Sequence, residues 1–145
     1  MNKGQSLFEV VAALAVVALI IVALVSLVAK AVSNANFSRN QTLASRYSQE
    51  ATEWLRGERD KDFDQFRTQA SSSPQCLNNL SWGNIGICSD GEEISDTPFK
   101  REVTFTVSMV SAKTVIETLV KVYWSDSQGA HEARSVTNFS DWRQR

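Results

Sequence analysis

The chain of 145 residues has room for one membrane-length segment and one small domain of about 100 residues. Its net charge is −1 and its acidic and basic residues are mixed throughout. No electrostatic stripe results, so the sequence supports no nucleic-acid partner. Two cysteines, one distant histidine and no CxxC pair provide no ligand set for a metal such as zinc.

The N-terminus is the most informative region. Lys3-Gly4-Gln5-Ser6-Leu7-Phe8-Glu9 leads into Val10–Ala29, a stretch of Val, Ala, Leu and Ile broken only by Ser26 and closed by Lys30. At about 1.5 Å per residue this stretch spans a bilayer core of about 30 Å. Lys3 and the initiator amine lie on the short side. The positive-inside rule therefore places the N-terminus in the cytoplasm and the residues after Lys30 outside it. A carboxylate inside a membrane segment costs roughly 2.5–3.5 kcal/mol at the centre and by default marks a functional site. Glu9 therefore needs a cationic partner.

Three processing readings compete here. A cleaved secretory signal has a small-x-small site at Ala29-Lys30-Ala31, but its apolar region is normally about 7–15 residues and lacks an acidic residue at its start. A plain anchor fits the length and gives no reason for Glu9. The third reading accounts for both features. Gly4-Gln5-Ser6-Leu7-Phe8-Glu9 resembles the class III signal of type IV pilins and type II secretion pseudopilins. In that family a short basic leader ends in Gly, and a Glu stands at the fifth mature position ahead of an apolar helix.

The resemblance implies a leader of residues 1–4, cleavage after Gly4, and a new, N-methylated terminus at Gln5. Gly at the cut lets the backbone lie close to an intramembrane protease. The family usually begins its mature chain with Phe, where this chain has Gln5. Many pilins also carry a mid-membrane Pro or Gly, where this chain has Ser26 and Ala. The resemblance further implies that Glu9 is the assembly residue, neutralising the Gln5 ammonium of a neighbouring subunit. The implied partners are a prepilin peptidase/methylase, other pilin or pseudopilin subunits, an inner-membrane assembly platform, and membrane lipid before assembly. Trp54-Leu55-Arg56-Gly57-Glu58-Arg59-Asp60, Tyr123-Trp124-Ser125-Asp126 and Asp141-Trp142-Arg143 also resemble the minor members of the family, and Glu9-Val10 with Ala13-Leu14 leans the same way.

No Gly or Pro lies between Gln5 and Arg56, which predicts a continuous helix of about 80 Å. Residues 5–30 form its transmembrane and assembly half, and residues 31–58 an exposed amphipathic half. In that outer half Ala44, Tyr47, Ala51, Trp54 and Leu55 recur at helical spacing and form one apolar face. Arg46 and Glu50 form an i, i+4 pair on the polar side.

Residues 59–145 make the head. From Arg56 to Gly91 the sequence reads as irregular, with breakers at Ser71-Ser72-Ser73-Pro74, Asn78-Asn79 and Gly83-Asn84. Cys76 and Cys88, with eleven residues between them in an exported domain, read as one disulfide worth roughly 3 kcal/mol. Trp82, between them, is expected to pack down onto the sheet or helix. The period then changes to two. Val103, Phe105, Val107 and Met109 make a half-buried strand, and Val120, Val122 and Trp124 a second. Asp126-Ser127-Gln128-Gly129 is a hairpin turn, Ala130–Thr137 a third strand, and Phe139 and Trp142 close the chain. The expected fold is α+β: a long N-terminal helix with a three-stranded antiparallel sheet packed on its second half.

No enzyme and no cofactor are expected. His131 has no nucleophile or carboxylate that the sequence places beside it. Asp90, Glu92, Glu93 and Asp96 lack EF-hand spacing and read as a solvated loop rather than a Ca²⁺ site. The expectation is a structural subunit, a minor pilin or pseudopilin, built from the inner membrane into a cell-surface fibre or a periplasmic pseudopilus. The alternative is a single-pass anchored extracytoplasmic binding module that does not polymerise.

Overall fold

The structure, a computed structural model, describes residues 7–71, 73–110, 113–141 and 143. Two helices and four strands follow in the order α1 (Leu7–Lys61), α2 (Phe63–Ala70), β1 (Gln75–Cys76), β2 (Lys100–Val110), β3 (Lys113–Asp126) and β4 (Gly129–Ser140). The chain divides into two compact units, one ending at Asn40 and the other running from Gln41 to Arg145. The fold is α+β with a long N-terminal helix and an antiparallel sheet.

α1 begins with Glu9 in its first turn and ends with Arg59 and Lys61 in its last, the charge order that a helix macrodipole favours. Its apolar part is long enough to cross a membrane, and none of that window is buried. Within the second unit α1 buries Ala44, Ser48, Ala51, Thr52 and Leu55. Two of these five carry hydroxyls, and both are satisfied by the helix itself. Ser48 Oγ donates to the Ser45 carbonyl and Thr52 Oγ1 to the Ser48 carbonyl, each at 2.9 Å.

α2 corrects the expectation of an irregular segment from Arg56 to Gly91. α1 itself runs through Gly57 to Lys61, and Asp62 then caps α2 by accepting the Gln65 N–H at 2.9 Å. Asp62 and Gln65 stand at capping-box spacing. Phe66 and Ala70 are the buried face of this short helix.

The sheet has four strands in the order β1-β2-β3-β4, all antiparallel, and not the three expected. The extra strand, β1, is two residues long and therefore too short to carry any period. It is held by the Leu77 N–H donating to the Arg101 carbonyl at 2.8 Å and by the disulfide at Cys76. β3 and β4 join through Ser127-Gln128, with Asp126 opposite Gly129 and Gly129 at φ 126°. The Gln128 N–H donates to Asp126 Oδ1 at 2.8 Å. β4 extends to Ser140, so Phe139 is a strand residue and fully buried.

One face of the sheet supplies the core: Val103, Phe105, Ile116, Val120, Val122 and Phe139 are buried. Phe66 meets Phe105 and Phe139 edge-on, at 6.1 and 5.5 Å between ring centroids. The far end of β2 departs from the expected half-buried strand. Val107 and Met109 keep the period but are 47% and 75% exposed, because no described element covers that end.

Candidate functional site

Gly4 and Gln5 lie outside the described residues. Glu9 stands in the first turn of α1 with an exposed side chain, beside the exposed Leu7 and Phe8. From Val10 to Val28 every large apolar side chain is 46–71% exposed. A helix that is apolar on all sides needs a nonpolar environment on all sides, as in a bilayer or the core of a bundle. Its one hydroxyl suits such a place, since Ser26 Oγ donates to the Val22 carbonyl at 2.9 Å. The chemistry available at this end is limited to one carboxylate at the head of an apolar rod.

The second unit contains two polar constellations that the sequence reading did not single out. The first centres on Arg101, which is 2% exposed. Its Nε donates to the Leu77 carbonyl at 2.9 Å. Its Nη1 donates to the Tyr47 carbonyl at 3.0 Å and to Glu50 Oε2 at 2.8 Å. One planar guanidinium thus ties β2 to α1 and to the chain leaving β1. The Glu50 carboxylate that was expected to pair with Arg46 receives Arg101 instead. The signal was present in the register, since Arg101 is in phase with Val103 and Phe105.

The second constellation lies on the opposite face, under the disulfide. Cys76 and Cys88 are bonded, with their Cα atoms 4.9 Å apart. Glu102 accepts the Cys88 N–H at 3.0 Å, the Tyr123 hydroxyl at 2.6 Å and the Lys121 ammonium at 2.9 Å. Burial opposes its ionisation, but the donors outweigh burial and hold its carboxyl below the usual range. Burial and the Glu102 carboxylate together push the Tyr123 phenol well above its ordinary value. This constellation fastens the disulfide loop to the sheet.

Trp82 is seated between α1 and the core. It packs on Trp54 at 4.8 Å, meets Phe66 edge-on at 6.0 Å, and donates its indole N–H to Glu58 at 2.8 Å.

Asp90, Glu92 and Glu93 are engaged with their own loop and with Lys100 at the start of β2. Lys100 pairs with Asp90 at 2.7 Å and Glu93 at 3.6 Å. Glu92 accepts the Ser89 N–H at 2.6 Å and the Asn84 amide at 2.8 Å. Asp96 occupies a left-handed position at φ 61°. Among the described residues no three His, Cys, Asp or Glu side chains stand together as a metal site. His131 Nε2 meets Asp126 Oδ1 at 2.9 Å and its ring lies 5.3 Å from Trp124, which places it in the β3–β4 hairpin. A cleft of about 270 Å³ is lined by Arg59, Lys61, Asp62, Asp64, Asp141 and Arg143. Its lining mixes both signs of charge, so no single ligand charge is selected. Comparison with models of known protein families, with curated proteins and with solved structures gives no match.

Proposed function

We propose that the chain is a prepilin-like structural subunit, a minor pilin of a type IV pilus or a pseudopilin of a type II secretion apparatus. The observation that carries this reading is the placement of Glu9. It stands in the first turn of a helix whose next nineteen residues, Val10–Val28, expose apolar side chains on all sides. The motif Gly4-Gln5-Ser6-Leu7-Phe8-Glu9 stands immediately at that junction.

Cleavage after Gly4 creates an ammonium at Gln5, four residues before Glu9. In a bundle of subunits Glu9 of one chain neutralises Gln5 of a neighbour. The surrounding dielectric is low there and an unpaired charge is expensive, so the pairing also fixes the axial register of an incoming subunit. Val10–Ala29 serves twice, as a membrane store with a cytoplasmic N-terminus and then as fibre core. The head is extracytoplasmic, and the partners are the prepilin peptidase/methylase, other subunits and the assembly platform. The chain performs no catalysis in this scheme; chemistry is done to it.

Co-expression with a prepilin peptidase and mass spectrometry of the N-terminus tests the reading. The expected product begins at Gln5 and carries a methyl group. A start after Ala31 means a secreted domain, and an intact Met1 means the non-polymerising anchored module. Glu9→Ala is expected to leave insertion and cleavage intact and to abolish incorporation into fibres, read by immunoblotting sheared fibres against the membrane fraction. Normal incorporation of that variant removes the pairing mechanism.

A further inference from the structure

The sheet ends on two margins. On one side β1 is flanked by residues 84–86, bridged through Gln75 opposite Ile85. The Cys76 N–H donates to the Asn84 carbonyl at 2.9 Å, and the Gly86 N–H to the Pro74 carbonyl at 2.8 Å. Bonds through these two flanking residues leave the N–H and carbonyl of Ile85 itself turned away from β1. Ile85 and Ile87 are 67% and 69% exposed, so this margin is bare. On the other side the margin is β4. The Arg101 carbonyl faces β1, where it takes the Leu77 N–H. Alternation through β2 and β3 then turns the backbone groups of Arg134 and Val136 outward. Among the described residues no backbone bond from outside the sheet reaches either. Such edges are templates for a further strand.

Both margins terminate the same rung. Ile85, Gln75, Val103, Val120 and Ser135 stand opposite one another in turn. Every step between them is antiparallel, and four steps bring residues 84–86 and β4 into the same direction. The margins also complement each other in charge. Residues 77–98 contain four acidic side chains and no Lys or Arg. One of the four, Glu92, accepts the Asn84 amide at 2.8 Å. On β4 the Arg134 side chain is 59% exposed and meets only Glu132 of its own strand.

We infer that residues 84–86 of one copy pair in parallel with β4 of a second copy, with Ile85 opposite Ser135. In that register the Ile85 N–H donates to the Arg134 carbonyl, and the Val136 N–H donates to the Ile85 carbonyl. Arg134 comes beside Asn84 and its attached Glu92, and Val136 beside Gly86. A shift of one residue would offer Ile85 only groups already bonded to β3. A shift of two, to Ala133, would bring Glu132 against Glu92. Gly86 stands at φ 117°, outside the strand region, which limits the match to this one rung. Two hydrogen bonds are too few to join free proteins, so the pairing needs the high local concentration of chains confined to a membrane.

The rung and the core face run on from copy to copy. Residues 41–61 of α1 therefore lie on the same side and point the same way in each. That shared orientation is all that is taken from the function proposed above, and any single-pass chain has it. The contact joins opposite margins, so it is heterologous and leaves each end free to add another copy.

The test is cross-linking of the full-length chain in lipid vesicles under mild oxidation, read on a non-reducing gel. Paired strands lie about 4.8 Å apart, within reach of a disulfide between opposed residues. The double variant Ile85→Cys/Ser135→Cys is expected to give a ladder of dimers, trimers and larger species. A mixture of the two single variants stops at the dimer, and neither single variant cross-links alone. Asn138→Cys, about 10 Å farther along β4, gives no product with Ile85→Cys. Arg134→Glu added to the double variant lowers the yield about tenfold.

The inference is overturned if the double variant stays monomeric while peptide mapping finds Cys76–Cys88 intact. It is equally overturned if a single variant dimerises, if Asn138→Cys links as well, or if Arg134→Glu has no effect. The N-terminal mass of the same preparation, made with a prepilin peptidase, separates this result from the processing reading. A ladder from chains that keep Met1 removes the pilin reading and leaves the pairing. Chains that begin at Gln5 without a ladder do the reverse.

Discussion

Two stretches of the same helix differ against their composition: the apolar one buries no large side chain, and the more polar one buries a face. Val10–Val28 is Val, Leu, Ile, Ala and one Ser, and its large side chains are all exposed. Gln41–Lys61 is far more polar, yet it buries Ala44, Ser48, Ala51, Thr52 and Leu55. Composition therefore does not decide burial within one chain; the presence of a packing partner does. The outer half buries small side chains and hydroxyls because these allow a sheet to come close, and because the hydroxyls bond back to their own helix. The inner half has nothing among the described residues to pack on, and its surface is a demand for an apolar environment that another agent must supply.

Paired substitutions sharpen that contrast most. Leu55→Ala removes a fully buried side chain and is expected to destabilise the head by roughly 2–5 kcal/mol. Leu24→Ala, at 56% exposure, is expected to shift the same transition by less than about 0.5 kcal/mol. Urea unfolding of both variants in detergent checks the pair, and equal shifts would break the division between the two stretches.

Next in size is Arg101→Met, which keeps bulk and removes three donated hydrogen bonds. The buried Leu77 carbonyl loses this partner and the part-buried Tyr47 carbonyl keeps only its place in the helix ladder, for a loss of about 2–3 kcal/mol. Glu50 is half-exposed and adds little to that figure. Arg101→Lys is not expected to restore it, because one ammonium cannot reproduce the planar fork. The same urea transition reports both variants.

The smallest effect is a change of slope with pH. The folded-state carboxyl of Glu102 titrates below its ordinary value of 4.5. Its contribution to stability is thus fully present above about pH 4.5 and is lost as pH falls through the folded-state value. Glu102→Gln is expected to lower stability at neutral pH and to flatten the acid limb. Thermal unfolding between pH 3 and pH 7 measures this, and an unchanged acid limb would show that Glu102 does not govern it.

Much of the head was legible in the sequence, for reasons that also mark the limits. α1 was readable because Gln5–Arg56 lacks any breaker, and β3 because Val120, Val122 and Trp124 alternate strictly. α2 was missed although Asp62 and Gln65 stand at cap spacing, since Gly57 and the charges around it masked the helical period. β1 could not be read at all; two residues form a strand only because the disulfide and Arg101 hold them there. Val107 and Met109 carry a strand period, but period says which face a side chain takes, not whether anything covers it. Arg101 and Glu102 looked like the charged start of a strand. Each is buried because its partners come from distant parts of the chain: Glu50 is 51 positions from Arg101, and Tyr123 is 21 from Glu102. At the N-terminus the motif was plain, whereas Gly4 and Gln5 lie outside the described residues.

The contact between Trp54 and Trp82 gives the molecule a built-in optical gauge. Indole rings with centroids 4.8 Å apart and planes inclined at 48° lie close enough to couple their electronic transitions. One ring belongs to α1 and the other to the disulfide loop, so the resulting circular-dichroism couplet reads whether that loop is docked. The four tryptophans stand at 54, 82, 124 and 142, and the two tyrosines at 47 and 123. Tryptophan and tyrosine signals thus come entirely from the second unit, and the apolar stretch from Val10 to Ala29 contributes none. Spectroscopy of the intact chain in lipid or detergent therefore follows the head alone, without truncation or labelling.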